Sequence, residues 1–140
     1  MCRRSGIRTN KCKALTVEEI HELVEKAGAA AKLAKDAGVD ILEVHACGGY
    51  LLDQFISKLW NHREDEYGGC LENRLRFIRE FYESIRAAVG PDYPVSVKFT
   101  PQHSMLRDAH WMMRAWKSSR FWIPGAFAIS IWITAAMSVE

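Results

Sequence analysis

Two short, branched, apolar runs each follow the signals of an amphipathic helix in this chain. That rhythm of helix, strand, helix, strand restricts it to parallel α/β architecture. The runs are VDILEVHA, from Val39 to Ala46, and VSVKFT, from Val95 to Thr100. Before the first, Thr16 is a good N-cap, Glu19 completes a T-x-x-E capping box, and Leu15 and Ile20 stand where a hydrophobic staple closes. Ile20, Leu23, Val24, Ala27, Ala31 and Ala34 then recur at steps of about three and four residues, and Gly38 suits the position after the last turn. The pattern predicts a helix from Val17 to Ala37. Before the second run, Leu71, Leu75, Ile78, Tyr82, Ile85 and Val89 line one face, and Gly90-Pro91 ends the helix predicted from Leu71 to Val89.

Alternation along the first strand puts Ile41, Glu43 and His45 on one face and Leu42, Val44 and Ala46 on the other. The second face suits packing against helices. The first carries two ionisable groups, which suits the interior of a barrel near its mouth. In the second strand Val95, Val97 and Phe99 share a face, as do Ser96, Lys98 and Thr100. His45 sits at the carboxyl end of its strand and leads into Gly48, Gly49 and Tyr50, the arrangement from which α/β barrels and open α/β sheets build active sites. Leu51 to Leu59 reads as one or two helical turns, and Asn61 to Cys70 as a polar loop in which Gly68-Gly69 permits positive φ.

A chain of 140 residues, 49% hydrophobic and 26% charged, has room for one small ordered domain. Its formal charge of +2 gives no reason to expect nucleic acid, and Arg3, Arg4, Arg8, Lys11 and Lys13 read as a solvated lead-in over residues 1–14. Cys2, Cys12, Cys47 and Cys70 form no C-x-x-C pair and fit no common zinc spacing, so neither a metal site nor a disulfide framework is expected. No apolar run follows the amino-terminal charges, so no secretory signal is read there and a cytoplasmic location is expected. After Ser104 the character changes: Trp111, Trp116, Trp122 and Trp132 crowd into residues 104–140, no capped helix appears, and Phe121 to Val139 is uncharged.

The stretch from Leu15 to His103 resembles the old yellow enzyme family of NADH:flavin oxidoreductases. The resemblance rests on LTVEEI at 15–20, the alanine-rich run ending at Gly38, ILEVH at 41–45 and GYLLDQF at 49–55. It continues through N-x-R-x-DEYGG at 61–69, ENRLRF at 72–77 and PVSVKFT at 94–100. The wording is most similar to the enoate-reductase and 2,4-dienoyl-CoA reductase branch. The resemblance implies part of an FMN-binding (β/α)8 barrel over residues 15–103, about two strand–helix units, followed by an irregular tail. It implies hydride transfer from NAD(P)H through FMN to an activated alkene, a small-molecule substrate. Tyr50 then matches the proton donor, His45 the first of two residues that hydrogen-bond the substrate carbonyl, and Lys98 the basic residue near flavin N1 and O2. Gly48 stands at the substrate-binding position where the family usually carries a second donor, His or Asn. Lys58 replaces a frequent proline and Cys70 a common serine. Larger members carry iron–sulfur clusters, for which this chain shows no ligands.

Other readings stand beside this one. A truncated or frameshifted coding region after Ser104 would leave a non-catalytic remnant without flavin, associating through uncovered barrel edges. The 19 uncharged residues from Phe121 to Val139 approach the roughly 17–25 of a membrane span, which would make a small membrane-attached protein. Pro124, Gly125, Ser130 and Thr134 interrupt that run, and an aggregation-prone tail is the favoured expectation there. The charged cluster Arg63-Glu64-Asp65-Glu66 and Asn73-Arg74 is expected to brace a loop, and Cys47 to be a small buried residue.

Overall fold

In the computed structural model, which describes residues 13–99 and 128–131, the capping box at Thr16 closes as the sequence demands. The Glu19 amide donates to Thr16 Oγ1 at 3.2 Å, and the Thr16 amide donates to Glu19 Oε2 at 2.9 Å. Helix α1 (Val17–Asp36) therefore starts with both end donors satisfied. It buries Ile20, Ala27, Gly28 and Ala31, with Leu15 and Val17 packed at its base. Gly28 is where α1 comes closest to its neighbour: a Cβ there would meet Ser84 Oγ at 2.6 Å and the Ser84 carbonyl oxygen at 2.9 Å. After the helix, the Gly38 amide donates to the Lys35 carbonyl and the Val39 amide to the Ala34 carbonyl. These bonds spend Val39 on closing α1, so the strand predicted from Val39 begins only at Leu42.

Strand β1 (Leu42–Ala46), the short helix α2 (Leu51–Ile56), helix α3 (Leu71–Val89) and strand β2 (Val95–Phe99) follow in order. Helix α2 stops short of the predicted Leu59 because Ser57 turns extended, its amide donating to the Asp53 carbonyl. The boundaries of α3 match those predicted. Its buried face comprises Phe77, Ile78, Tyr82, Ile85 and Val89, while Leu71 and Leu75 are only half-buried. Arg74 is the unexpected buried member at 2% exposure. Its Nε donates to the Ile56 carbonyl at 2.9 Å and its Nη1 to the Gly69 carbonyl at 2.5 Å. It braces the loop onto α3, as expected of the Asn73-Arg74 pair. Arg63 braces likewise, forking onto Asp65 and donating to the Leu15 carbonyl at 2.6 Å.

Strands β1 and β2 pair in parallel, with Leu42 opposite Val95 and His45 opposite Lys98, and α3 lies between them in sequence. A third strand, β3 (Ala128–Ile131), pairs in parallel with β2, with Lys98 opposite Ser130. The sheet order is β1-β2-β3. The tail, expected to be irregular, thus contributes a strand. The sequence signal for it is the alternation in AISI, short within a long uncharged run. The rest of the tail, the lead-in through residue 12, and Thr100 lie outside the described residues. No helix among the described residues is long and apolar enough to cross a membrane.

The predicted division of the strand faces holds. Val44, Ala46, Val95 and Val97 join Ile20, Phe77, Tyr82 and Ile85 in one core between sheet and helices. The other sheet face carries Glu43 and His45, both exposed, beside Ser96 and half-buried Lys98. Among the described residues the helices pack on one face of the sheet, as in the wall of an α/β barrel, whose other face is the inner side.

Candidate active site

Strand pairing brings together two of the predicted site residues. His45 and Lys98 stand directly across the β1–β2 ladder, one residue before the carboxyl ends of their strands. Tyr50 reaches the same place by a different route. Gly48 and Gly49 take φ of +71° and +79°, turning the chain back after β1 at a conformation that costs a residue with a Cβ about 1–2 kcal/mol. Gly49 is then held from both sides: its amide donates to Asp53 Oδ2 at 2.7 Å, and its carbonyl accepts from Gln54 Nε2 at 2.7 Å. A Cβ on Gly49 would lie 2.4 Å from Trp60 Cη2. Tyr50, at the N-cap of α2, is thereby laid edge-on to His45, ring centroids 5.3 Å apart at 63°.

Tyr50 is 66% exposed. Gly48, the predicted position of a second donor, offers no side chain. A Cβ there would approach the Tyr50 ring at 3.3 Å and His45 Nε2 at 3.9 Å, so the glycine leaves room between the two. Behind them Cys47 is buried as expected, with its Sγ 3.6 Å from His45 Nε2. Beside β1, whose other edge is unpaired among the described residues, runs an apolar groove of about 600 Å³, reaching from Ala27, Ala31 and Ala34 of α1 to His45 and Tyr50.

The arrangement offers three polar tips of different character: an imidazole that donates or accepts, a phenol that gives up a proton while neutral, and an ammonium. Together they can hold a carbonyl oxygen, move a proton to a neighbouring carbon and meet an electron-rich ring. Among the described residues there is no group of three His, Cys, Asp or Glu suited to a metal ion.

The bracing network shifts the titration of two of its own groups, Asp65 and Tyr67. The Arg63 guanidinium bonded to Asp65 holds its carboxyl below the usual range, ahead of an opposing effect of burial. Burial, followed by its bond to Glu80, pushes the Tyr67 phenol up. That hydroxyl also lies 3.0 Å from His21 Nε2, tying α1 to α3 through the loop. The sequence reading missed Asp53, Gln54 and Trp60, which shape the Tyr50 turn. Their signal is the spacing of an acid and an amide about four and five residues after Gly49, a local clamp of the Asx and cap type.

Known proteins resemble this chain over much of its length. A cinnamate reductase of Clostridium sporogenes is 51% identical over 90 residues, covering 64% of this chain and 14% of that protein. An NADPH dehydrogenase of Clostridium acetobutylicum is 43% identical over 90 residues, covering 64% of this chain and 26% of its own length. The solved structure of the old yellow enzyme homologue from Zymomonas mobilis superposes with a TM-score of 0.61 at 40% identity, over 64% of this chain and 25% of that one. The chain thus spans about a seventh to a quarter of the relatives it matches. The sequence model of the NADH:flavin oxidoreductase / NADH oxidase family matches residues 3–123, running past Ser104, and to that family the chain belongs.

Proposed function

We propose that this chain forms the substrate-carbonyl and proton-donor side of an FMN-dependent, NAD(P)H-consuming reductase of activated C=C bonds. The observation that supports the reading is the ladder register of His45 opposite Lys98 together with the ring contact of His45 and Tyr50. FMN, when bound, would supply the hydride. The donor set suits it: Lys98 offers a positive charge fit for the electron-rich N1 and O2 side of a flavin. His45 would donate to the carbonyl oxygen of an enone or enoate and stabilise the negative charge that develops there. The Tyr50 hydroxyl, an O–H donor, would deliver its proton to the α-carbon. Gly48 leaves His45 as the side-chain donor of the turn and enlarges the space for the substrate. A cytoplasmic location goes with this reading.

The test is a titration of the purified full chain with FMN, read by flavin fluorescence and by elution size. Saturable binding is expected, weakened by about tenfold or more in Lys98→Ala, as loss of a charge-assisted contact implies. Enoate reduction lost in Tyr50→Phe would then assign the proton. Absence of saturable binding would refute the reading for this chain and favour a non-catalytic remnant, and association in the elution profile would point to its uncovered sheet edges.

A further inference from the structure

We infer that Cys47 is a nucleophile poised to add covalently to electron-poor alkenes, with His45 as its base. The proposed reduction does not use this thiol, yet its placement is specific. Sγ lies 3.6 Å from His45 Nε2, a thiol–imidazole pair at hydrogen-bonding distance for sulfur. Cys47 is 6% exposed, and beside it His45 and Tyr50 are open to solvent. Gly48 puts no side chain between the pair and Tyr50. A thiol gains nucleophilicity when a base takes its proton, and His45 is within reach to do so.

The step is an addition that needs neither oxidant nor reductant. With its single N–H proton on Nδ1, neutral His45 accepts the Cys47 proton at Nε2 and becomes imidazolium. The sulfur forms a bond to the β-carbon of an enone, and the C=C π pair moves onto the carbonyl oxygen as an enolate. The imidazolium hydrogen-bonds that oxygen, and its proton then goes to the α-carbon. The product is a thioether with every atom of thiol and alkene retained. The inference rests on the proposed class of substrate, because the carbon attacked is the one that reduction would attack. An alkene not reduced promptly would therefore block the site.

The experiment uses the full chain with 2-cyclohexen-1-one, without flavin or NAD(P)H, and follows thioether formation by peptide mass mapping. Exposed Cys70 serves as the internal reference. Cys47 is expected to react about tenfold faster than Cys70, a modest share of what a positioned base provides. The ratio should fall to about one in urea, where the neighbours of both thiols are lost, and His45→Gln should remove the advantage without slowing Cys70. A native ratio at or below one, or a ratio unchanged by His45→Gln, overturns the inference. Should His45→Gln fail to fold, the native-to-urea comparison in the unaltered chain decides alone. Because no flavin is present, this result and the FMN titration can fail independently.

Discussion

Replacing Gly49 by alanine should cost this chain about 2–3 kcal/mol and loosen Tyr50 from His45. Two separable terms make up the figure. At φ of +79° a residue with a Cβ is strained by about 1–2 kcal/mol. The new methyl would also lie 2.4 Å from Trp60 Cη2 and 2.8 Å from Cζ3, so the indole must swing aside. Because those atoms form the far end of a half-buried side chain, about 1 kcal/mol is the appropriate overpacking cost, the low end of the usual range. With a urea dependence of about 2 kcal/mol/M, the unfolding midpoint followed by far-UV circular dichroism should fall by about 1 M. A double-mutant cycle with Trp60→Leu separates the terms. The second substitution should recover about 1 kcal/mol of the Gly49→Ala cost and leave the backbone strain in place. A Gly49→Ala midpoint within about 0.2 M of the parent, or a coupling near zero, would refute the account of how Tyr50 is positioned.

Three further outcomes follow from the fold. Thr16→Ala should lower stability by about 1 kcal/mol in the same urea assay, and Thr16→Ser by much less, because only the alanine removes the acceptor for the Glu19 amide. Arg74→Leu should cost about 2–4 kcal/mol, since the carbonyls of Ile56 and Gly69 lose a charged donor and the leucine cannot replace it; an unaltered midpoint would show that the buried guanidinium does not brace the loop. The pH dependence has two limbs. The depressed Asp65 carboxyl contributes stability that is present above the ordinary range of aspartate and lost as pH falls below it, so Asp65→Asn should flatten the acid limb. The Tyr67 phenol, raised by burial, contributes stability that is present below its ordinary value and lost as pH climbs past its folded one, so Tyr67→Phe should flatten the alkaline limb of a midpoint-against-pH series.

Much of this architecture was legible in the residues because local signals and tertiary demands coincide. The capping box at Thr16, the apolar stripe of α3 and the alternation in both strands each point to the element that forms. Period alone put His45 with Glu43 in one strand and Lys98 with Ser96 in the other, and the ladder sets His45 and Lys98 side by side. What escaped the reading depends on long-range partners. Nothing local marks Arg74 as more deeply buried than the half-buried Arg76, Arg79 and Arg86 of α3, since its burial is set by carbonyls of α2 and the loop. The clamp on Gly49 was hidden because Asp53 and Gln54 look like the polar side of a short helix. Strand β3 was hidden because its alternation covers only four residues inside a long uncharged run, and pairing with β2 is what selects it.

The β1–β2 ladder also has a kinetic meaning. The Ser96 hydroxyl bonds the Leu42 carbonyl across a sequence separation of 54 residues. Closing a flexible loop of that length costs about 3.5 kcal/mol in chain entropy before any ladder bond forms. Between the two strands lies α3, whose 19 residues form locally and dock on α1 through the Gly28–Ser84 approach. Once that helix has condensed, the ends to be joined are already near each other. The order of events this implies is helix pair first, strand pair second, so substitutions at the Gly28–Ser84 seam should slow refolding, whereas those in the Tyr50 turn should chiefly speed unfolding.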